Sequence, residues 1–142
     1  MLYEVSSANI HKLQRMQNSI ARVVKLPRSS TGVMDILKDL HWLPFRYHID
    51  FKIATLDYKV RSSSQPVYLS SLISDYVPIR SLRSTGTHIL LTPRVKTAVG
   101  SRAFSSSAPK VWNSLPADIR DCTTVLTFRR KLKTFNFNQA FN

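Results

Sequence analysis

Apolar positions in the first half of the chain recur at spacings of three and four. Ile10, Leu13, Gln17, Ile20 and Val24 share one face of a helix predicted over 9–24. His11, Lys12, Arg15, Arg22 and Lys25 fall mainly elsewhere, as solvated charge. Ser6 or Ser7 offers a cap at its start, and Pro27 ends it. A polar linker, Arg28-Ser29-Ser30-Thr31-Gly32, leads to a short helix over 33–40, with Thr31 as candidate N-cap and Ile36, Leu37 and Leu40 inward. Trp42 and Leu43 follow, where a large aromatic plugs the gap between helices. Pro44 lacks an N–H and so suits the start of the next helix, over 46–61. Ile49, Ile53, Leu56 and Val60 make its stripe, with Phe45 and Tyr58 nearby. Ser62 to Gln65 read as a turn, and Pro66 starts another short helix over 67–73. These four helices form a small bundle, with Leu13, Ile20, Trp42, Ile49, Ile53 and Leu56 expected in one core.

The pattern changes after Asp75. Ile89-Leu90-Leu91 is the strand-like run, ended by Thr92-Pro93, and 102–105 offers a short partner strand. Pro109 is expected to open a single helical turn through Trp112. Phe104, Val111 and Trp112 are the large apolar anchors of this half. A last helix is predicted over 124–135. Val125, Phe128, Leu132 and Phe135 lie on one face, and Arg129, Arg130, Lys131 and Lys133 fill most of the rest. Residues 136–142 are expected to fray. The fold class is therefore mainly α with minor β. A helical bundle occupies 1–75, and a basic, loop-rich segment with short strands and a C-terminal helix occupies 76–142, the two making one compact unit.

Length and composition suit one folded domain: 142 residues, 43% hydrophobic and 20% charged. The charge is one-sided, with 21 Lys and Arg, 12 of them Arg, against 8 acids, for a net +13. That balance favours a polyanionic partner, RNA or DNA, over an anionic membrane surface, because the apolar face of the last helix is narrow. No apolar run reaches the ~18 residues that span a bilayer. Met1 to Val5 show no signal-peptide pattern, so an intracellular protein of nucleus or cytoplasm is expected, not a secreted one. The lone Cys122 excludes an internal disulfide and a multi-cysteine zinc site.

Catalytic chemistry finds little support. Two-metal nucleotidyl transfer needs clustered carboxylates. Asp35 and Asp39 share one predicted helix face, and Asp50 and Asp57 another, but neither pair is the adjacent Asp-Asp of a polymerase palm. His48-Ile49-Asp50 matches an H-x-D triplet, yet in a helix its two side chains point about 200° apart. Ser105-Ser106-Ser107 and Cys122 have no paired His and acid nearby in sequence. No enzyme activity, cofactor or metal is expected. The acid-free stretch from Tyr76 to Ala117 is the better candidate. Arg80, Arg83, Arg94, Lys96 and Arg102 lie within it, on predicted non-helical backbone among Ser and Thr donors, as phosphate contacts require. Tyr76, Phe104 and Trp112 are candidate base-stacking groups, with core packing the favoured role for Phe104 and Trp112.

The order of short motifs adds an origin. Leu13-Gln14-Arg15-Met16-Gln17-Asn18 comes first, then Leu40-His41-Trp42-Leu43-Pro44, Ser81-Leu82-Arg83-Ser84 and Ala108-Pro109. Trp112-Asn113-Ser114-Leu115-Pro116, Ile119-Arg120 and Phe128-Arg129-Arg130-Lys131-Leu132-Lys133-Thr134 complete the series. In this order they resemble the extreme C-terminal part of LINE-type (non-LTR) retrotransposon reverse transcriptases, of the jockey and chicken-repeat kind, over about 10–141. The resemblance implies a thumb-like bundle and tail that follow the polymerase palm, in a protein whose endonuclease, fingers and palm lie elsewhere. It implies a grip on template RNA, primer and target DNA, and it carries no catalytic residue onto this chain. The Met1 start suggests a truncated copy of such an element. Two alternatives are a domesticated module that binds a protein through apolar surface left by the missing polymerase, and an inert relic.

Overall fold

The structure, a computed structural model, describes residues 3, 5–26, 31–78 and 88–142. Pro27, Arg28 to Ser30 and the motif Ser81-Leu82-Arg83-Ser84 lie outside the described residues. The fold is mainly α. Its helices are α1 (Ser7–Lys25), α2 (Val33–Asp39), α3 (Phe45–Ser63), α4 (Val67–Ser70), α5 (Ala98–Ser101), α6 (Phe104–Asn113), α7 (Ala117–Arg120) and α8 (Val125–Phe141). Among the described residues, β structure amounts to one antiparallel bridge between Asp75 and Leu90.

Several boundaries follow the sequence signals. Ser6 stands at the N-cap position of α1, though its hydroxyl makes no capping bond. Pro44 caps α3 and Thr124 caps α8, its hydroxyl accepting from the Thr127 N–H. Gly32, not Thr31, is the N-cap of α2.

The segment 102–105 is not a strand. Arg102 closes α5 and Phe104 opens α6. Phe104, Ala108 and Val111 recur at four and three, a helical period hidden among serines. Pro109 lies inside α6 rather than at its start. Its ring removes a bond to the Ser105 carbonyl, at a cost of roughly 3 kcal/mol in an ordinary helix interior. Here the ring is fully buried, and Ser106, Ser107 and Ala108 beside it are small enough for α6 to lie close against α3. Nor do residues 136–142 fray, since α8 continues to Phe141. Asn136 is buried and its Nδ2 donates to the Tyr47 carbonyl at 3.4 Å, while the Tyr47 hydroxyl donates to the Gln139 carbonyl at 3.1 Å. Phe137 stacks on the His41 ring at 5.6 Å. The α4 helix is shorter than the predicted 67–73, ending at Ser70.

Helix α3 is the spine, packed on α1, α6 and α8. The main core joins Ile53, Ala54 and Tyr58 of α3 to Phe104, Val111 and Trp112 of α6, Ile119 of α7, and Phe128 and Leu132 of α8. It therefore takes residues from both sides of Asp75. Tyr58, Trp112 and Phe128 form its aromatic centre, with Tyr58 stacked on Phe128 at 4.4 Å and Trp112 on Phe128 at 5.8 Å. A second, smaller cluster consists of Ala21, Ile36 and Leu37, flanked by Val33, Leu40, Trp42 and Phe141.

The single core expected of six residues is thus divided. Ile53 is buried in the main cluster, and Ile49 and Leu56 pack against it in part. Trp42 belongs to the second cluster. Leu13 is half-buried, and Ile20 is mostly exposed. The cause is a rotation of α1. Gln17 donates through Nε2 to the Leu43 carbonyl at 2.7 Å, and the Phe45 N–H donates to Gln14 Oε1 at 2.7 Å. These clips turn the Gln14, Gln17 and Ala21 side inward. Ile20, one residue from Ala21, is rotated about 100° away.

Candidate nucleic-acid interface

The predicted basic segment is held by side chains of α6. Asn113 acts as a strand substitute: the Leu90 N–H donates to its Oδ1 at 2.9 Å, and its Nδ2 donates to the Leu90 carbonyl at 2.8 Å. Trp112 Nε1 donates to the His88 carbonyl at 2.7 Å. On the other side the Leu91 N–H donates to the Ser74 carbonyl and the Tyr76 N–H to the Ile89 carbonyl, both at 2.9 Å. The Trp112-Asn113 and Gln14/Gln17 motifs are thus clips between elements.

Three of the five predicted contact residues are among the described residues. Arg94 and Lys96 are exposed on the extended chain that leaves this clamp. Arg102 is half-buried at the end of α5 and is engaged by neighbouring groups. Arg80 and Arg83 lie outside the described residues. Phe104 and Trp112 are core residues, whereas Tyr76 is exposed. The Arg61 guanidinium lies 4.6 Å from the Trp112 ring centroid and pairs with Asp75 at 3.2 Å.

A second cationic surface comes together where α3 and α8 pack. His48 and Lys52 stand one turn apart on α3, and Lys133 on α8 lies close enough for its charge to act on the imidazole. Burial depresses the His48 pKa first, and the Lys52 and Lys133 charges depress it further. Arg129, one turn before Lys133, places its guanidinium 5.9 Å from the Phe51 ring centroid. His48, Lys52, Arg129 and Lys133 are all exposed. Helix α8 contains no carboxylate, so nothing on it neutralises this face. The sequence places Arg129 and Lys133 off the apolar face of the last helix, but nothing in it joins them to His48 and Lys52. His48 and Lys133 are 85 positions apart (133 − 48), and only the α3–α8 packing brings them near.

A cleft of about 650 Å³ lies between α1, α3, α6 and α8. His11, Arg46, Lys110 and Asp50 are among its polar lining residues. Burial raises the Asp50 pKa, opposed by the Arg46 charge.

The remaining acids are dispersed. Asp35 is exposed on α2. Asp39 meets Lys25 Nζ at 2.7 Å, and that hydrogen bond and charge hold its carboxyl below the usual range. Asp57 is fully buried, neither carboxylate oxygen has a hydrogen-bond partner, and burial pushes its pKa up to about 7. Among the described residues no three His, Cys, Asp or Glu side chains are grouped so as to hold a metal ion, and no helix is long and apolar enough to cross a membrane. No family model, no curated protein and no solved structure matches the chain.

Proposed function

We propose that this chain is a non-catalytic C-terminal piece of a LINE-type reverse transcriptase and that it binds RNA or DNA electrostatically, with little regard for sequence. The observation that supports binding most directly is the face shared by His48, Lys52, Arg129 and Lys133 on a molecule of net charge +13. Lys52, Arg129 and Lys133 are long, exposed and cationic, and they project from two packed helices, while the depressed pKa of His48 between them reports how closely their charges gather. Such groups reach phosphates and carry no base code. Arg94 and Lys96 extend the positive surface from a different part of the fold. The origin rests on the order of motifs, two of which act as clips that a folded domain needs.

The test is the salt dependence of binding to a single-stranded RNA and to a DNA duplex of unrelated sequences. If about four phosphates are neutralised, log affinity falls against log salt with a slope near −3 to −4. The triple change Lys52→Ala, Arg129→Ala and Lys133→Ala is expected to flatten that slope by about 2–3 units and to weaken all sequences alike. Replacing Arg80, Arg83 and Arg94 by Ala probes the acid-free stretch in the same way. Affinity that ignores salt, or that survives both sets unchanged, would overturn the reading.

A further inference from the structure

Helix α1 carries an apolar surface that lies outside the basic face proposed for nucleic acid. Met16, Ile20, Val23 and Val24 are 63, 54, 71 and 57% exposed. Scattered exposed apolar residues are ordinary, but these occupy successive turns of one helix and make a continuous strip. With half-buried Leu13, the positions 13, 16, 20 and 23 step by three, four and three. That is the seam spacing by which one helix packs along another. The Gln14 and Gln17 clips hold a different side of α1 against the domain, so the strip is left over by the fold rather than consumed by it.

Charge says what covers it. Helix α1 bears Lys12, Arg15, Arg22 and Lys25 and contains no carboxylate. Lys12 lies one turn before Met16, and Arg15 and Arg22 border the strip's outer side. A second copy of this chain would set cation against cation on a molecule already at +13. A bilayer surface suits a broad apolar face with aromatic anchors, whereas this strip is a narrow seam without Trp or Phe. We propose that α1 is the docking site for an acidic amphipathic helix of another protein. Its apolar side chains cover Met16, Ile20 and Val23, and its carboxylates meet Lys12, Arg15 and Arg22.

The experiment uses the full chain and a synthetic helical peptide of about four heptads, with Leu and Ile at the seam positions and Glu at the flanking ones. One control peptide has Lys for each Glu, and another has Ser for each seam residue. The Glu peptide is expected to bind, and the Lys and Ser peptides to bind roughly tenfold more weakly or worse. The double change Ile20→Ser and Val23→Ser is expected to weaken the Glu peptide about tenfold or more while leaving RNA affinity unchanged, with the thermal unfolding transition retained as the report of an intact fold. Equal binding of the Ser peptide would reduce the effect to charge alone and overturn the proposal. So would a peptide affinity unmoved by the double change. A wild-type dimer that Ile20→Ser/Val23→Ser converts to monomer would assign the strip to a second copy instead. Co-sedimentation with phosphatidylserine vesicles, lost in the same variant, would assign it to a membrane.

Discussion

Asp57 is a carboxylate at odds with its surroundings. It is fully buried on α3 with both oxygens unpartnered. Arg61 stands one turn away, but its guanidinium is turned to Asp75 and the Trp112 ring. Burial raises the Asp57 pKa from 3.8 to about 7, the Arg61 charge opposing and the Asp75 charge assisting. The folded-state pKa is thus above the unfolded one. The folded form binds the proton more tightly, so stability declines as pH rises from about 4 to about 7 and levels off above that. The loss is on the order of 4 kcal/mol. Asp57→Asn should flatten this part of the stability–pH curve, measured by urea denaturation across that range; an unchanged slope would refute the assignment. Asn113 is the opposite case, a polar side chain fully used. Asn113→Ala strands both backbone groups of Leu90 and should cost about 1–3 kcal/mol, with faster amide exchange at Leu90 as its local signature.

At the scale of elements, the long helices were legible because their apolar residues recur with the helical period. Helix α3 begins one residue before its predicted start and ends two after its predicted end. What periodicity could not give was rotation. Ile20 and Ala21 are neighbours in sequence, and which of them faces inward is decided by two glutamine clips to the α2–α3 turn. Helix α6 was hidden for another reason: Ser105, Ser106, Ser107 and Pro109 have the composition of a loop, and only their burial against α3 makes them helix. The end of α8 was missed because its anchors, Tyr47 and His41, come from a distant part of the chain. The basic face was half legible, its cations visible in the sequence and their meeting not. Two substitutions separate the faces. Phe128→Ala should cost about 3–5 kcal/mol, and Ile20→Ala should stay within roughly half a kcal/mol, both read from thermal denaturation. A large loss at Ile20 would mean that α1 is turned the other way.

For the whole molecule, α8 is the strut between the two clusters. Phe128 and Leu132 lie in the main core, and Phe141 packs against Ala21, Ile36 and Leu37. Ending the chain after Phe135 should therefore loosen α1 and α2 before it loosens α3 and α6. Hydrogen exchange would show this as faster exchange in Ala21, Ile36 and Leu37 than in Ile53 and Trp112; uniform acceleration would count against two separable clusters.

The shortage of carboxylates has a last consequence. With 21 cations and 8 acids, the folded chain holds like charges close together, and the ion pairs Lys25–Asp39 and Arg61–Asp75 relieve little of that repulsion. Added salt screens repulsion between charges farther apart than about 10 Å at 0.1 M, so the melting temperature should climb over the range in which the grip on nucleic acid weakens. One solution variable would then drive folding and binding in opposite directions. The bound polyanion would itself be the counter-charge that the fold lacks, and nucleic acid should protect the chain from heat most strongly at low ionic strength.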